Sequence, residues 1–346
     1  MLGVMTSADD AGVPGAAAGP DPRLLMKELA TYREPSLARS LFELGSTLFP
    51  FVLVYTAMLV GLELGYYLAL VLALPAGGLL LRLFLIQHDC GHGSFFRSRA
   101  ASDWLGRCLG VLTFTPYECW RRAHALHHAS TGNLDARGFG DIDTLTVREY
   151  RALPRWRRLA YRAYRHPLVL FGLGPAYLFI LRHRLPIGLM KEGRRYWISA
   201  FGTNLAIVAV AALLASQVQL LSLVLAHLLT VLVAGSGGVA LFYFQHQFED
   251  THWDRASDWS FHHSALHGSS HLHLPGVLRW VTANIGIHHV HHLVSRIPFY
   301  RLGEVLRDRP ELTGISRLSL RSAWRSLRLT LWDEDNRRLT TFAAAR

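Results

Sequence analysis

The stretch LFPFVLVYTAMLVGLELGYYLALVLALPAGGLLLRLFLI, Leu48–Ile86, decides the architecture of this chain. It is apolar almost throughout, and Glu63 and Arg82 are its only charged residues. One membrane span needs about 20 apolar residues, and this run is roughly twice that length. It therefore predicts two spans joined by a tight turn near Gly61–Gly65.

A second apolar block runs from Ile198 to Phe244 and is interrupted by SQVQ at 216–219, which predicts another tight hairpin. The composition agrees with a membrane protein, because only 18% of the residues are charged and the mean hydropathy is +0.20, whereas soluble domains carry about 25% charged residues. We expect an all-α integral membrane protein with a disordered tail over residues 1–22 and one domain over 23–346. The four expected spans are about 48–66, 67–86, 198–215 and 220–244.

Three histidine-rich groups stand out: HDCGH at 88–92, HALHH at 124–128 and HHVHH at 288–292. On a helix, residues at i, i+3 and i+4 lie on one face, so each group can direct two or three imidazoles to one place. This spacing is typical of metal ligands on helices. The residues concerned are His88, His92, His124, His127, His128, His288, His291 and His292.

The predicted topology places all these histidines on one side of the membrane, because a hairpin returns the chain to the side from which it entered. His88 comes two residues after the first hairpin and His246 two residues after the second. The loop over 121–197 holds 15 Lys or Arg against five Asp or Glu, which favours the cytoplasmic side. The net charge of +11 is interpreted as affinity for an anionic membrane surface rather than for nucleic acid. We therefore expect a cytoplasmic helical cap and no nucleic-acid partner.

With His246, the clustered histidines number nine, about twice what one four-coordinate zinc ion needs. Nine ligands suit two six-coordinate ions that keep positions open for oxygen, although imidazole suits iron, copper, nickel and zinc alike. HDCGH is also similar to the zinc-protease motif HExxH, with Asp89 in place of Glu, but that interpretation leaves most of the histidines unused. A metal transporter would place ionisable ligands within its spans, where this chain has only Glu63, Arg82 and His227.

Four segments, HDCGHGSFF, HALHHASTGNLDARGFGDIDTLTVREY, FYFQHQFEDTHW and TANIGIHHVHHLVSRIPFYRL, together resemble the membrane fatty acid desaturases. The likeness covers roughly residues 40–305, and the motifs stand in family order. It is greatest toward bacterial acyl-lipid desaturases of the Δ12 and Δ5 type. The resemblance implies an enzyme of the bacterial inner membrane that inserts a cis double bond into a fatty acyl chain.

The resemblance also implies a histidine cage holding two iron ions (Fe2+/Fe3+), with O2 as co-substrate and electrons from a separate ferredoxin or cytochrome b5. The substrate would be a membrane lipid acyl chain. A related di-iron hydroxylase or ketolase acting on a lipid or carotenoid stays open as an alternative, and a metal transporter is a more distant one. The implied ligands are His88, His92, His124, His127, His128, His246, His288, His291 and His292.

Several further residues are candidates for supporting roles. Some relatives use an Asn to hold a metal-bound water four residues before the histidine that follows the last span, and this chain has Phe242 there. Residues that could support the metal ligands from behind are Asn284 (alternatively a helix cap), Asp89, His267 and His271. Candidates for lining an acyl tunnel are Leu83, Phe84, Phe242 and Phe244.

Two segments between the hairpins have open interpretations. PLVLFGLGPAYLFIL, 167–181, is too short to span comfortably and is flanked by arginines. It suits a helix at the membrane interface, or else a fifth, tilted span. The basic loop from Arg148 to Arg165 suits the docking of an acidic electron donor or of lipid headgroups.

Overall fold

A computed structural model describes residues 22–138 and 140–345, and helices dominate it. The expected tail over 1–22 lies outside these residues except for Pro22, which begins the first helix. The helices are α1 (Pro22–Leu29), α2 (Leu37–Glu63), α3 (Ala73–His92), α4 (Arg99–Leu112), α5 (Tyr117–Ser130), α6 (Val147–Ala152), α7 (Arg155–Tyr164), α8 (Gly174–Ala176), α9 (Arg194–Ala215), α10 (Leu220–His246), α11 (Phe261–His267), α12 (Gly276–Val281), α13 (His288–Leu293), α14 (Phe299–Asp308) and α15 (Leu320–Ser326). Short 3-10 helices lie at Ala30–Arg33, Tyr67–Leu72, Arg182–Arg184 and Pro310–Gly314, and π-helical turns at Val169–Leu173 and Tyr177–Leu181.

The described residues also contain five short strands, so the expectation of an all-α fold is wrong in detail. Strand β1 (Leu145–Thr146) pairs in parallel with β4 (Leu331–Asp333), which pairs antiparallel with β5 (Arg338–Thr340). A second parallel pair joins β2 (His271–Leu272) to β3 (Arg317–Leu318). Strands of two or three residues leave almost no alternating pattern in a sequence, and their partners lie far away along the chain.

Four helical segments are long and apolar enough to cross a membrane, as the hydropathy pattern predicts: Leu37–Glu63, Tyr67–His92, Arg194–Ala215 and Leu220–His246. The first begins well before the predicted boundary near Leu48, because its opening turns are amphipathic and less apolar than its middle. The second continues through HDCGH and ends only at Gly93, which adopts a left-handed conformation (φ 68°) that suits glycine. His88 and His92 therefore belong to the span helix itself.

Arg82, the charged residue in the middle of the first apolar block, is buried against α2. Its guanidinium donates to the carboxylate of Glu43, and its Nε donates to Thr47 Oγ1 at 3.0 Å. The same guanidinium lies 4.3 Å from the ring centroid of Trp280. This ion pair therefore ties α2 and α3 to the segment that leads into HHVHH.

Removing one partner of this buried pair is expected to be costly. In Glu43→Ala the charge of Arg82 is left without its counterion, which lowers the free energy of unfolding by about 3–5 kcal/mol. The thermal midpoint in detergent micelles measures the loss. The double variant Glu43→Leu/Arg82→Met removes both charges and should lie closer to wild type than the single variant; a double variant that is less stable than Glu43→Ala would contradict this account.

The segment over 167–192 descends along α10 and returns. It starts beside the last turn of α10, where the Arg165 guanidinium donates to Tyr243 Oη at 3.3 Å and to Gln247 Oε1 at 3.1 Å. Two turns further down α10, Gly235 provides the space for this segment, since a Cβ there would come within 2.9 Å of the Phe179 ring.

The return is fixed by polar contacts. Arg184 Nη1 donates to Asn204 Oδ1 at 2.8 Å, and Arg122 Nε donates to Glu192 Oε2 at 2.9 Å beside the histidines of α5. Both ends of the segment thus lie at the histidine end of the helices. Because it runs down α10 and back, we call it the re-entrant segment. It does not pass from one end of the long helices to the other, so the histidine groups can share one side.

Candidate metal centre

The four helices that carry the clustered histidines meet at one end of the molecule. The last two turns of α3 supply His88 and His92, and the last residue of α10 is His246. Helix α5 carries HALHH and the six-residue helix α13 carries HHVHH. All three histidine motifs therefore lie on helices, as their spacing predicts.

The nine histidines form two groups, and in each the ligand atoms all lie within 4.8 Å of one another. In the first group, the Nε2 atoms of His92 and His124 are 3.0 Å apart, those of His124 and His128 are 3.0 Å apart, and those of His128 and His291 are 3.2 Å apart. The members of the first group are His88, His92, His124, His128 and His291.

In the second group, the Nε2 atom of His246 lies 3.2 Å from that of His127 and 3.0 Å from that of His288. The Nε2 atom of His292 lies 3.0 Å from that of His288. This group consists of His127, His246, His288 and His292. HALHH and HHVHH each contribute to both groups, so the two groups share their supporting helices.

Hydrogen bonding alone does not account for this convergence. One Nε2 atom either carries a single hydrogen or presents a single lone pair, yet His124 and His288 each place Nε2 at 3.0 Å from two other Nε2 atoms. A cation satisfies such a set. With metal–nitrogen bonds of about 2.1 Å, two ligands at a right angle lie about 3.0 Å apart. The donor sets therefore fit two metal ions.

Burial keeps three of these imidazoles in the form that binds a metal. Burial lowers the pKa of His128, His288 and His292 well below the usual value for histidine, and neighbouring imidazoles lower it further. The rings are thus neutral at physiological pH. A neutral ring offers a lone pair to a metal ion without first losing a proton.

Three of the nine rings are held from behind through Nδ1. The Nδ1 atom of His127 is hydrogen-bonded to the carboxylate of Asp141. His246 Nδ1 lies 3.1 Å from the carbonyl oxygen of Gly268. His88 Nδ1 lies 3.3 Å from Asp89 Oδ1, while the other oxygen of Asp89 accepts from the Phe299 N–H at 2.8 Å. Such partners fix the orientation of a ligand ring and raise its basicity.

Asp141 is the supporting residue that sequence reasoning missed, although it ends the quoted stretch GNLDARGFGD. The loop that carries it is fixed by distant residues: Leu134 N donates to Asp254 O at 2.8 Å, and Asp254 N donates to Gly132 O at 2.8 Å. Just before Asp141, Gly140 has φ 83°, and a Cβ there would lie 3.1 Å from Ala123 O on α5. In the sequence, the glycine directly before Asp141 was the available sign that this loop lies close to HALHH.

The other supporting candidates lie elsewhere. Asn284 sits with φ 54° in the turn after α12, where its backbone N–H donates to Arg279 O at 3.0 Å, so it closes the helix end. His271 Nδ1 lies 2.9 Å from Thr313 O, and its ring stacks on that of His289. His267 packs against His263. In the described contacts, none of the three touches a member of the two groups.

A third, smaller group contains His252, Asp254 and His263. Its centre is taken by a guanidinium, because Arg337 Nη2 lies 2.7 Å from both His252 Nε2 and Asp254 Oδ1. Arg337 precedes β5, so this group joins the C-terminal strands to the loop after α10. The six additional histidines over 252–273 thus include a structural cluster.

An apolar cavity of about 250 Å³ ends at the two histidine groups. His88, His124 and His288 form part of its wall, and it extends between α3, α10 and the re-entrant segment toward Gly235 and Val231. Of the residues predicted to line a tunnel, Phe84 and Phe242 line it, whereas Leu83 is fully buried in the main core and Phe244 packs against Phe171. The Phe242 ring contacts those of His127 and His246.

An apolar cavity that ends at two sets of converging imidazoles defines a class of helical protein suited to metal chemistry on an apolar substrate. Residues 64–324 match the family model described as fatty acid desaturase. The chain is 41% identical over 322 residues to the protein named fatty acid desaturase of Bacillus subtilis (strain 168), and the match covers 92% of this chain and 90% of that one.

Two more relatives have names that specify an electron donor. The sn-1 acyl-lipid omega-3 desaturase (ferredoxin) of Synechocystis sp. is 29% identical, over 74% of this chain and 71% of its own. The acyl-lipid omega-3 desaturase (cytochrome b5) of the Arabidopsis thaliana endoplasmic reticulum is 27% identical, over 69% of this chain and 62% of its own.

The chain belongs to the fatty acid desaturase family. It is accordingly an oxidoreductase that introduces double bonds into fatty acyl chains, and the resemblance found in its motifs is confirmed.

Proposed function

We propose that this desaturase acts on the acyl chains of membrane lipids, using O2 and two iron ions that cycle between Fe2+ and Fe3+. The observation that carries the proposal is the meeting of two imidazole sets with the inner end of an apolar cavity. Imidazole also suits copper, nickel and zinc; zinc has no redox chemistry, and the family resemblance favours iron. The nine histidines of the two groups would be the ligands.

The proposed reaction balances with an external reductant. Removing two hydrogens from adjacent methylenes yields two electrons, and reducing O2 to two waters consumes four, so a separate carrier supplies two electrons and solvent supplies two protons. A ferredoxin or a cytochrome b5, each passing one electron at a time, fits this requirement. The printed names of the relatives include both kinds of donor.

Iron would supply the oxidising power, because an unactivated C–H bond offers no proton that a side chain can remove. The chain's own residues position the substrate and exclude water. The Trp120 indole stacks on His124, with ring centroids 4.8 Å apart, and both line the cavity. Phe242 covers His127 and His246 from the same space. These aromatic rings present an apolar surface to the cavity, and two adjacent methylenes of the substrate would pack against it.

The proposed location is the bacterial inner membrane, with the histidine end on the cytoplasmic side. The four apolar helices expose large aliphatic side chains, for example Leu68 (81% exposed), Ile198 (70%) and Leu205 (71%), which suits contact with lipid. The arginine-rich loop between the hairpins favours the cytoplasm for the histidine end. Residues 23–346 would form one domain.

Expression in a host that lacks polyunsaturated lipids, together with a working electron donor, tests the proposal. We expect a new cis double bond in lipid-bound acyl chains, seen as a mass loss of two hydrogens by mass spectrometry. A gain of one oxygen would instead identify the hydroxylase alternative. His127→Ala should abolish the product, and full activity in that variant would overturn the ligand assignment.

The cavity predicts a change in substrate selection. Ala234 and Ala240 lie on the same helix and are both partly buried, but only Ala234 lines the cavity. Ala234→Phe should fill the part of the cavity that lies away from the histidines and lower activity on the longest accepted acyl chain by about tenfold, which corresponds to about 1.4 kcal/mol. Ala240→Phe should leave the chain-length profile unchanged. Equal profiles for the two variants, measured by fatty acid analysis, would argue against an acyl chain in this cavity.

A further inference from the structure

A second depression, of about 360 Å³, reaches the two histidine groups by a route separate from the apolar cavity. The cavity wall contains His88, His124 and His288, whereas this depression is lined by His128 and His292. We call it the arginine groove, after the two arginines that line it, Arg33 and Arg296.

The groove touches both groups at once. His128 belongs to the first group and His292 to the second. Their rings are stacked, with centroids 4.1 Å apart and planes inclined by 15°. A redox carrier bound in the groove would therefore be one imidazole away from either group. Electron transfer weakens steeply with distance, so this is the favourable place for a carrier to bind.

The groove also has a cationic rim. Arg296 is exposed, and among the described residues no group accepts a hydrogen bond from the buried Nε of Arg33. An adjoining depression, which shares Ala125 with the groove, is lined by four more arginines: Arg99, Arg121, Arg122 and Arg195. Asp103 pairs with both Arg99 and Arg121, so this depression is positive overall but not wholly unpaired. The acidic residue lining these two depressions is Glu192, which pairs with Arg122 at 2.9 Å. The surface therefore attracts an acidic partner.

Its shape permits close approach. Ala125 and Ala129 are exposed at i and i+4 on α5, and both line the groove. They are the outward neighbours of His124 and His128 on the same helix. Small side chains at these positions let a partner come near the imidazoles, and a shallow site suits the small interfaces of electron-transfer complexes.

We infer that the arginine groove is the docking site of an acidic one-electron carrier of the ferredoxin class. The inference rests on the proposed function, since it names the donor surface of the same centre. Each encounter would pass one electron from the reduced carrier to the centre, and two encounters supply the two electrons of the balanced reaction. Helix α7 lies in the basic loop from Arg148 to Arg165, for which the sequence left open the docking of an electron donor or of lipid headgroups, and it lines neither depression.

Binding to the metal-free protein tests this without depending on turnover. The probe is an oxidised plant-type [2Fe–2S] ferredoxin, titrated against the protein in nanodiscs at low and high ionic strength. Arg33→Glu/Arg296→Glu should raise Kd by at least about tenfold at low salt, and the effect should shrink as salt screens the charges. The matched control Arg155→Glu/Arg157→Glu makes the same charge change on α7 and should stay within about twofold of wild type.

A second variant separates steric from electrostatic effects. Ala125→Trp changes an exposed residue without changing the charge and should also weaken ferredoxin binding. In the iron-loaded protein it should slow reduction by ferredoxin while leaving reduction by dithionite unchanged. Binding lost in the α7 control and kept in the groove variants would overturn the inference, as would wild type that binds no ferredoxin at low salt. Failure of dithionite-reduced wild type to desaturate lipid would overturn the proposed function instead.

Discussion

His246→Ala is expected to lose one of two bound iron ions and to reduce desaturation by more than 100-fold. Removal of a residue that merely supports a ligand costs about 10–100-fold in affinity or activity, and loss of a ligand should cost more. His246 is one of only four imidazoles in its group, whereas the other group has five. His92→Ala, which leaves four rings in the larger group, should therefore retain more iron than His246→Ala. Iron per protein, measured by inductively coupled plasma mass spectrometry, checks both values.

His289→Ala is the matched control for this experiment. His289 lies within HHVHH and is as buried as its neighbours, but its Nε2 lies 3.0 Å from the carbonyl oxygen of Leu312 and it belongs to neither group. The variant should keep both metal ions. If His289→Ala lost iron as readily as His246→Ala, the assignment of ligands by convergence would be wrong.

Asp141→Ala should lower metal affinity at the second group by about 10–100-fold, because His127 loses the carboxylate that orients its ring. We expect less iron after dialysis against a chelator, and a similar fall in desaturase activity. Asp141→Asn keeps an oxygen that can accept from Nδ1 but removes the charge, so its metal affinity should lie between those of wild type and the alanine variant.

Asp143→Asn provides the comparison for a general effect of charge in this loop. Asp143 lies two residues away and anchors the loop through its backbone oxygen, which accepts from Tyr161 Oη at 3.1 Å and from Arg165 Nη1 at 3.0 Å. The substitution leaves those bonds in place and should keep the metal affinity of wild type. A loss equal to that of Asp141→Ala would assign the effect to the loop rather than to His127.

The sequence predicted what depends on local patterns. Each of the two apolar runs is about twice as long as one membrane span, so each predicted a hairpin of two helices. A backbone in lipid must satisfy its own hydrogen bonds, which favours helices, and the thickness of the bilayer sets their length. The histidine spacing predicted common faces, because the period of an α-helix is fixed. The end of the second span was placed too early, since the apolar run ends at Ile86 while the helix persists to His92.

Features that depend on distant partners were not predictable from these patterns. Asp141 meets His127 only because residues near Asp254 hold its loop, and the two aspartates lie 113 positions apart in the printed sequence. The re-entrant path of 167–192 depends on the space at Gly235, far along the chain. Neither contact has a periodic pattern, so hydropathy alone left a surface helix and a fifth span open.

The shared use of α5 and α13 has a consequence for biosynthesis. The first group needs His291 and the second needs His292, while α5 serves both. A nascent chain therefore completes neither group until α13 has been made and threaded. Neither metal ion can gain its full set of ligands before the helices that surround it are in place to contain it.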